Sequence, residues 1–170
     1  IEEEKDLDSL PLLEEEKIAY VTQTTLSVDD TKSIIKAIKL KFRNVIEPRK
    51  NDICYATTNR QNAVKKIASK CEIFFVIGAQ NSSNSVRLVE VAKQYGAKQS
   101  ILLENIENFN EKMLINIKDI GITASASAPE VLVQNFINLL RSKFSIILNE
   151  SNYVSEDVIF KIPLQIKAAD

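Results

Sequence analysis

The stretch Ile73-Phe74-Phe75-Val76-Ile77 decides the fold class of this chain of 170 residues. Its five residues are apolar and are all β-branched or aromatic, which is typical of a strand that is buried on both faces. Such strands lie at the centre of parallel sheets whose two faces are covered by helices. We therefore predict a central parallel strand at this position.

Strands and helices alternate on both sides of this stretch. In chain order, the other predicted elements are a strand at 18–21, a helix at 29–43, a short extended segment at 53–56 that leads into a helix, a helix at 85–95 ended by Gly96, a strand at 100–103, a short helix at 110–116, a strand at 120–124, a helix at 130–140, and extended pieces at 146–148 and 158–162. The acidic segment 2–16 reads as a linker or a short helix interrupted at Pro11. Together these elements predict an α/β fold with a mainly parallel sheet flanked by helices.

Composition excludes several classes of function. The chain has 22 basic and 23 acidic residues, so it has no positive surface of the kind that binds nucleic acid. No apolar run is long enough to span a membrane, and the acidic start does not resemble a secretory signal. Two cysteines do not make a disulfide framework, which favours a reducing compartment. We expect a cytoplasmic protein that binds neither nucleic acid nor membrane.

Ligands of open parallel sheets bind where the strands end and the helices begin. The four predicted strand-to-helix turns lie at 22–27, 54–59, 80–85 and 123–129, and all four are rich in hydroxyl and amide side chains. Helix capping explains a part of this, because Ser27 with Asp30, Thr58 with Gln61, and Ser127 with Glu130 each match a capping box.

Capping does not explain all of these polar side chains, since one residue per helix is enough for it. The first and third turns carry several more hydroxyls and amides than that. Such groups at helix N-termini suit an anion, for example a phosphate. The three glycines form neither a dinucleotide-binding fingerprint nor a P-loop, so nucleotide sites of those types are excluded.

Cys54 lies in the second of these turns. A cysteine beside a helix N-terminus is stabilised as the thiolate, the form that attacks carbon and binds metals. Nucleophile, metal ligand and inert half-buried thiol all remain open for this residue. The chain has no histidine, so it cannot build a cysteine–histidine pair by itself. Cys71 begins an apolar stretch and is predicted to be a packing residue.

Four motifs in the same order resemble the LytB family, the 4-hydroxy-3-methylbut-2-enyl diphosphate reductases of the methylerythritol phosphate route to isoprenoids. They are YVTQTTLSVDDT at 20–31, PRKNDICYATTNRQ at 48–61, NSSNS at 81–85 and ASAPEVLVQN at 126–135. The resemblance begins near residue 18 and corresponds to about the second half of the family's length. It implies conversion of the hydroxylated diphosphate to isopentenyl and dimethylallyl diphosphate.

The resemblance also implies a cofactor and roles for site residues. Cys54 matches the last of three cysteines that hold a 4Fe–4S cluster, one iron of which is free of protein thiolate and takes the substrate's hydroxyl. Thr24, the candidate catalytic residue, and Thr25 match threonines near that hydroxyl, and Thr57 lies near the same pocket. The residues that match the diphosphate site are Ser82, Ser83, Asn84 and Ser127.

The family fold has three similar α/β lobes. By resemblance, residues 1–50 are the C-terminal part of the second lobe, 51–145 are most of the third, and 146–170 are an extended tail. The electron donor is expected to be a small protein such as ferredoxin or flavodoxin. The chain alone is not expected to retain the cluster, because two of the family's cluster cysteines have no counterpart in it. The alternatives are a phosphate-binding α/β module without redox activity and a partner-binding or assembly fragment.

Overall fold

The computed structural model describes residues 1–12 and 14–150. Its strands and α-helices are β1 (Lys17–Ala19), α1 (Val28–Lys41), β2 (Asn44–Ile46), α2 (Tyr55–Ile67), β3 (Ile73–Ile77), α3 (Ser83–Gln94), β4 (Gln99–Leu103), β5 (Ile120–Ala124) and α4 (Glu130–Lys143). Short 3-10 helices lie at Glu4–Ser9, Ala68–Lys70, Ile106–Asn108 and Glu111–Leu114. None of the described helices is both long and apolar enough to cross a membrane.

β3 is the central strand of a three-stranded parallel sheet with the order β4-β3-β5. Each of its residues is at most 2% exposed. Phe74 and Val76 pack with α2 and α3 on one face, while Ile73, Phe75 and Ile77 pack with α4 on the other. The prediction of a buried parallel strand covered by helices on both sides is confirmed.

Aromatic rings fill the core on the α4 side of this sheet. Phe75, Phe109 and Phe136 contact one another edge to face, with ring centroids 5.2 to 5.8 Å apart. On the opposite side, Gly121 of β5 lies in register with Phe74. A Cβ atom at Gly121 would lie 2.4 Å from the Phe74 ring, so only glycine fits at this position.

Cys71 packs in the same core and is 8% exposed. Its Sγ donates to the Ile67 carbonyl oxygen at 3.3 Å. Burial, and to a smaller extent Asp119, raises the pKa of the thiol. The prediction that Cys71 is a packing residue is confirmed.

A second parallel sheet consists of β1 and β2 alone among the described residues, with Ile18 opposite Val45. The predicted strand at 18–21 is shifted, because β1 ends at Ala19 and Val21 is 86% exposed. β2 was not predicted. Its three residues are too few to show a periodic pattern of burial.

Other predicted boundaries differ locally. The segment 53–56 is not extended, because α2 begins at Tyr55 and Cys54 is its N-cap. α3 begins two residues earlier than predicted, because the Ser82 hydroxyl caps it. The predicted helix at 110–116 is a 3-10 helix of four residues, and Asn116 follows it with a φ of 64°. Residues 146–148 are irregular, and the predicted strand at 158–162 lies outside the described residues.

Candidate functional site

The turn between β1 and α1 carries the first group of site residues. The Ser27 hydroxyl accepts from the Asp30 backbone N–H at 3.2 Å and so caps α1, as predicted. Thr24 is exposed and Thr25 is half-buried. Capping therefore occupies Ser27 and leaves the two threonine hydroxyls available to a ligand.

The loop that carries Cys54 is fastened to this threonine turn at two points. The Cys54 N–H donates to the Thr24 carbonyl oxygen at 3.1 Å. Two residues earlier, the Asp52 carboxylate accepts from the Thr22 backbone N–H at 2.8 Å. Cys54 and Thr24 are therefore neighbours in space. The second contact likewise joins two residues, Thr22 and Asp52, that are 30 positions apart in the sequence.

Cys54 occupies the N-cap position of α2, but its side chain makes no capping hydrogen bond. The thiol is partly exposed, and its neighbour in the first helical turn, Thr57, is buried. The predicted capping box of Thr58 with Gln61 is wrong, because Thr58 lies inside the helix and its N–H donates to the Cys54 carbonyl oxygen. The Cys54 thiol thus lies at a helix start with no role in capping.

Gln61 has a different partner from the one that the sequence suggested. Its side chain is fully buried and reaches the threonine turn, where Nε2 donates to the Leu26 carbonyl oxygen at 2.9 Å. Its Oε1 accepts from the Val28 backbone N–H at 3.0 Å. This contact was not predicted from the sequence, because both of its partners lie outside α2.

The start of α3 carries polar atoms that are buried without partners. Ser82 caps the helix by accepting from the Ser85 N–H at 3.4 Å. Asn84 is only 6% exposed, and neither of its amide atoms has a hydrogen-bond partner among the described residues. The same holds for the Ser85 hydroxyl, which is fully buried. Buried polar groups are normally paired, so these atoms suit a polar ligand.

The start of α3 meets the turn after β5 at Gly78. A Cβ atom at Gly78 would lie 2.2 Å from the Ser85 Oγ and 3.0 Å from the Ser125 Oγ. The Ser125 N–H donates to the Ile77 carbonyl oxygen at 2.9 Å, which holds this turn against the end of β3. A glycine at this position therefore lets two serine-bearing turns approach each other.

Ser127 belongs to the second of these turns. Its hydroxyl lies 3.5 Å from the Ser125 Oγ, and its side chain is exposed. The predicted capping box with Glu130 is wrong, because Pro129 is the N-cap of α4 and no side chain caps that helix. The Ser127 hydroxyl is therefore not committed to the helix backbone.

A groove of about 1220 Å³ joins the first and third turns. Its lining includes Thr25 and Ser27 on one side and Asn81 and Ser83 on the other, but neither Cys54 nor Ser127. Arg87 also lines it and pairs with Glu90 at 2.7 Å and with Asp30 at 3.6 Å. The structure thus places Thr24 next to Cys54 and Ser127 next to Ser125, and Thr25 and Ser83 line the same groove.

A three-residue network holds the helices behind the site. Asp29 pairs with Lys65 of α2 at 2.6 Å and accepts a hydrogen bond from the Tyr95 hydroxyl beyond α3. These two contacts, with that of Lys65 the larger, lower the pKa of the Asp29 carboxyl. α1, α2 and the end of α3 are joined at one carboxylate.

Within the described residues, no group of three or more histidine, cysteine or carboxylate side chains is placed to hold a metal ion. Cys71 is buried in the core, so it is not a partner for Cys54. Of the two cysteines, the partly exposed Cys54 is the one whose thiol a metal or cluster could reach. The described part of the chain does not supply a complete ligand set.

A family model described as LytB protein matches residues 1–141, so the similarity begins earlier than residue 18. The chain belongs to the LytB family. It is 42% identical, over 98% of its length, to the 4-hydroxy-3-methylbut-2-enyl diphosphate reductase of Methylococcus capsulatus, of which it covers 53%. It is 49% identical to the reductase of the same name from Phenylobacterium zucineum, covering 86% of this chain and 46% of that protein.

The LytB fold is also found among solved structures. The structure of E-1-hydroxy-2-methyl-but-2-enyl-4-diphosphate reductase from Plasmodium falciparum matches with a TM-score of 0.77 and 39% identity, covering 82% of this chain and 44% of that chain. The chain spans about half the length of the curated LytB relatives that it matches. The family resemblance and the α/β fold predicted from the sequence are confirmed.

Proposed function

We propose that this LytB chain supplies the C-terminal portion of an iron–sulfur reductase. The reaction is the conversion of 4-hydroxy-3-methylbut-2-enyl diphosphate to isopentenyl and dimethylallyl diphosphate in the methylerythritol phosphate pathway. One observation carries the proposal: Asn84 and Ser85 keep unpaired polar atoms buried at the start of α3, as a site for an anionic ligand requires. Membership of the family gives that anion its chemical identity.

The proposed substrate lies with its diphosphate on the hydroxyls and amides of two turns. Ser82, Ser83 and Asn84 bind it from the start of α3, and Ser127 binds it from the turn after β5. Their amides and hydroxyls donate to phosphate oxygens, and the dipole of α3 favours the negative charge. Ser85 and Ser125 lie close to each other at Gly78, which supports the proposal that the two turns bind the diphosphate together.

The other end of the substrate carries the hydroxyl that the reaction removes. Thr24 is the proposed catalytic residue, which positions and transfers a proton at that hydroxyl, and Thr25 and Thr57 bind beside it. The backbone hydrogen bond between Cys54 and Thr24 supports this assignment, because it keeps the cysteine next to the threonines. Replacement of the hydroxyl by hydrogen consumes two electrons and two protons, of which one proton leaves in water and the other bonds to carbon.

Cys54 is the proposed ligand from this chain to a 4Fe–4S cluster. A bound cluster would supply the electrons of the reduction and a Lewis acid for the departing hydroxyl. The remaining ligands come from outside these residues, which agrees with the coverage of about half of each relative. A small electron-transfer protein such as ferredoxin or flavodoxin is the proposed electron donor, and the proposed location is the cytoplasm.

The lobe boundaries are also a proposal. Residues 1–50 contain the two-stranded sheet, and 51–145 contain the three-stranded sheet. This division supports the assignment of residues 1–50 to the second lobe of the family fold and of residues 51–145 to most of the third lobe. Residues 146–170 are the proposed tail.

Anaerobic reconstitution with iron and sulfide tests the cluster. We expect that this chain alone retains no stable cluster and has no reductase activity, whereas the chain mixed with the N-terminal half of a LytB relative gains both. Visible absorption and a reductase assay measure the two properties. Cys54→Ser abolishes the gain and Cys71→Ala, the control, retains it. A stable brown chain that turns over alone would contradict the proposal.

The second candidate is a phosphate-binding module without redox activity. The unpaired atoms of Asn84 favour it equally, because they require only an anion. Calorimetric titration with inorganic pyrophosphate tests the anion site that both candidates share, and the reconstitution distinguishes them. Both candidates predict binding that Asn84→Ala weakens at least about tenfold, since a charge-assisted hydrogen bond is lost, while the exposed control Asn62→Ala binds normally. Binding without any cluster in the assembled protein would favour the module.

A further inference from the structure

We infer that Gln61 is a positioning residue that holds the threonine turn against the helix start that carries Cys54. The inference concerns the geometry of this chain, and its consequence for turnover rests on the proposed function. It starts from the two hydrogen bonds that the buried Gln61 amide makes with the Leu26 carbonyl oxygen and the Val28 N–H.

Both of these backbone groups depend on Gln61. Val28 is the first residue of α1, and the first N–H groups of a helix have no partner within the helix. The Ser27 hydroxyl serves Asp30 instead, so it does not satisfy Val28. The Gln61 amide is therefore a two-point clamp on the residues on either side of the cap.

The clamp connects the two halves of the site. Gln61 lies two helical turns after Cys54 on α2, and Leu26 directly follows the Thr24-Thr25 pair. The Cys54 N–H bonds to the Thr24 carbonyl oxygen at the front of the same turn. Hydrogen bonds thus hold both ends of the turn to α2. The position of Thr25 relative to Cys54 depends on the bond of Cys54 to Thr24 and on the bonds of Gln61 together.

The chemistry of an amide explains why this residue type is needed. One donor and one acceptor on a single planar group match one carbonyl oxygen and one N–H. A glutamate has nearly the same shape, but its carboxylate cannot donate to Leu26 and repels that oxygen. When the glutamate is protonated, it regains one donor and one acceptor. Burial raises the pKa of such a carboxyl, and Lys65, one helical turn further along α2, opposes that shift.

Amide hydrogen exchange measured by NMR on this chain tests the clamp directly. In the unmutated chain, the Val28 amide should be protected from exchange, although it is the first residue of its helix. An unprotected Val28 amide would overturn the inference without any mutation.

In Gln61→Met, which is apolar and of similar size, exchange of the Val28 amide should be at least about tenfold faster, because the Oε1 that accepts from this N–H is absent. In Gln61→Glu the carboxylate still accepts from the Val28 N–H and only the bond to Leu26 is lost, so protection of Val28 should lie between that of the unmutated chain and that of Gln61→Met. The ionisable groups that contact this region, Asp29, Asp30, Asp52, Lys65, Arg87 and Tyr95, are unchanged in both variants. Gln94→Glu, at the exposed end of α3, is the control and should match the unmutated chain.

Protection of the Val28 amide in Gln61→Met equal to that of the unmutated chain would overturn the inference. In the assembled, cluster-bearing reductase, Gln61→Glu should lower kcat by more than tenfold at pH 7 and change KM less, because the diphosphate contacts of α3 are intact. If the unmutated assembly shows no turnover while the exchange pattern holds, the proposed function fails and the clamp stands.

Discussion

Ser82 and Ser85 lie in the same helical turn, but only the Ser82 hydroxyl makes a hydrogen bond among the described residues. The Ser82 hydroxyl caps α3, and the Ser85 hydroxyl is buried without a partner among the described residues. Ser82→Ala should lower the free energy of unfolding by about 1 kcal/mol, the usual effect of losing a cap. Ser85→Ala should leave it unchanged or raise it by up to about 1 kcal/mol, because it removes a buried unsatisfied hydroxyl.

Urea denaturation without phosphate in the buffer measures both serine variants. Ser142→Ala is the matched exposed control and should remain within about 0.5 kcal/mol of the unmutated chain. A loss of stability in Ser85→Ala as large as that in Ser82→Ala would show that the Ser85 hydroxyl has a partner, such as an ordered water. Binding of pyrophosphate should be weaker in both variants.

Gly78 lies beside the Ser85 hydroxyl and leaves no room for a larger side chain. Gly78→Ala should lower the free energy of unfolding by about 1 to 3 kcal/mol, the range for overpacking a filled site, because its Cβ meets the Ser85 and Ser125 hydroxyls. The double variant Gly78→Ala with Ser85→Ala should recover a part of this loss. Thermal unfolding by circular dichroism measures it, and an additive effect of the two substitutions would contradict the proposed clash.

Residue-level prediction from the sequence succeeded where a local pattern decides the outcome. Cys71, two residues before β3, is buried as predicted, and Ser27 caps the helix that follows it. Gln61 was assigned to a local capping box, whereas its partners are Leu26 in the turn before α1 and Val28 at the start of α1. Its location depends on how α1 and α2 pack, and no spacing within α2 contains that information.

At the scale of elements, Asp29 joins α1 to α2 and to the end of α3. Its folded-state pKa lies below the ordinary value of 3.8, so its stabilising contribution is present above that pH and is lost as the pH falls through the folded value. Asp29→Asn should therefore be less stable at pH 7, and the difference from the unmutated chain should shrink as the pH falls from 4 to 2.

Urea titrations at a series of pH values measure the effect of Asp29. The neighbouring Asp30→Asn is the control, because Asp30 contacts Arg87 only at 3.6 Å. A difference between Asp29→Asn and the unmutated chain that stays constant with pH would show that the carboxylate charge is not involved.

α4 is held to the sheet by an aromatic ring. Phe136 is fully buried between Phe75 and Phe109. Phe136→Ala should lower the free energy of unfolding by about 3 to 5 kcal/mol, as large cavities in cores do. Val131→Ala on the exposed side of the same helix should change it by less than about 0.5 kcal/mol. Equal effects in chemical denaturation would show that α4 does not depend on this cluster.

Element prediction from the sequence followed the strength of the periodic signal. The five apolar residues of β3 and the apolar face of α4 are long enough to be unambiguous. β2 has three residues and alternating exposure, and it is defined by its pairing with β1 rather than by its own composition. The shift of α2 to start at Tyr55 follows from the loop contacts of Asp52 and Cys54 with a distant turn.

At the scale of the whole molecule, the two cysteines report on different parts of the fold. Cys54 is partly exposed at a helix start, and Cys71 is buried under the three-stranded sheet with a raised pKa. A thiol-reactive maleimide should label Cys54 in the native chain. Labelling of Cys71 should be at least about 1,000-fold slower, since it requires opening of the sheet.

Mass spectrometry of peptides identifies the labelled cysteine, and the chain in high urea is the control in which both should react at similar rates. Comparable rates in the native chain would show that the core around Cys71 opens locally. Such an opening would also show that the packing of α2 and α3 on β3, which positions the start of α3, is not rigid.

The architecture as a whole was predictable because alternating strands and helices have few ways to pack. The placement of site residues was predictable only to the edge of the sheet, where the turns lie. The sequence did not predict which turns meet. The approach of Ser85 and Ser125 across Gly78 depends on β3 and β5 being neighbours in the sheet. Strand order of this kind is a property of the assembled sheet.

The central position of β3 has a consequence for how the chain folds as it is synthesised. β3 pairs with β4, which follows after one helix, and with β5, which is made later. On the ribosome, β3, α3 and β4 can therefore assemble first, and one edge of β3 stays open until β5 emerges. An unpaired apolar edge is a site at which nascent chains stick to one another. The step that closes this edge is also the one that brings Ser125 to Gly78, so the docking of β5 completes both the described three-stranded sheet and the approach of Ser125 to Ser85.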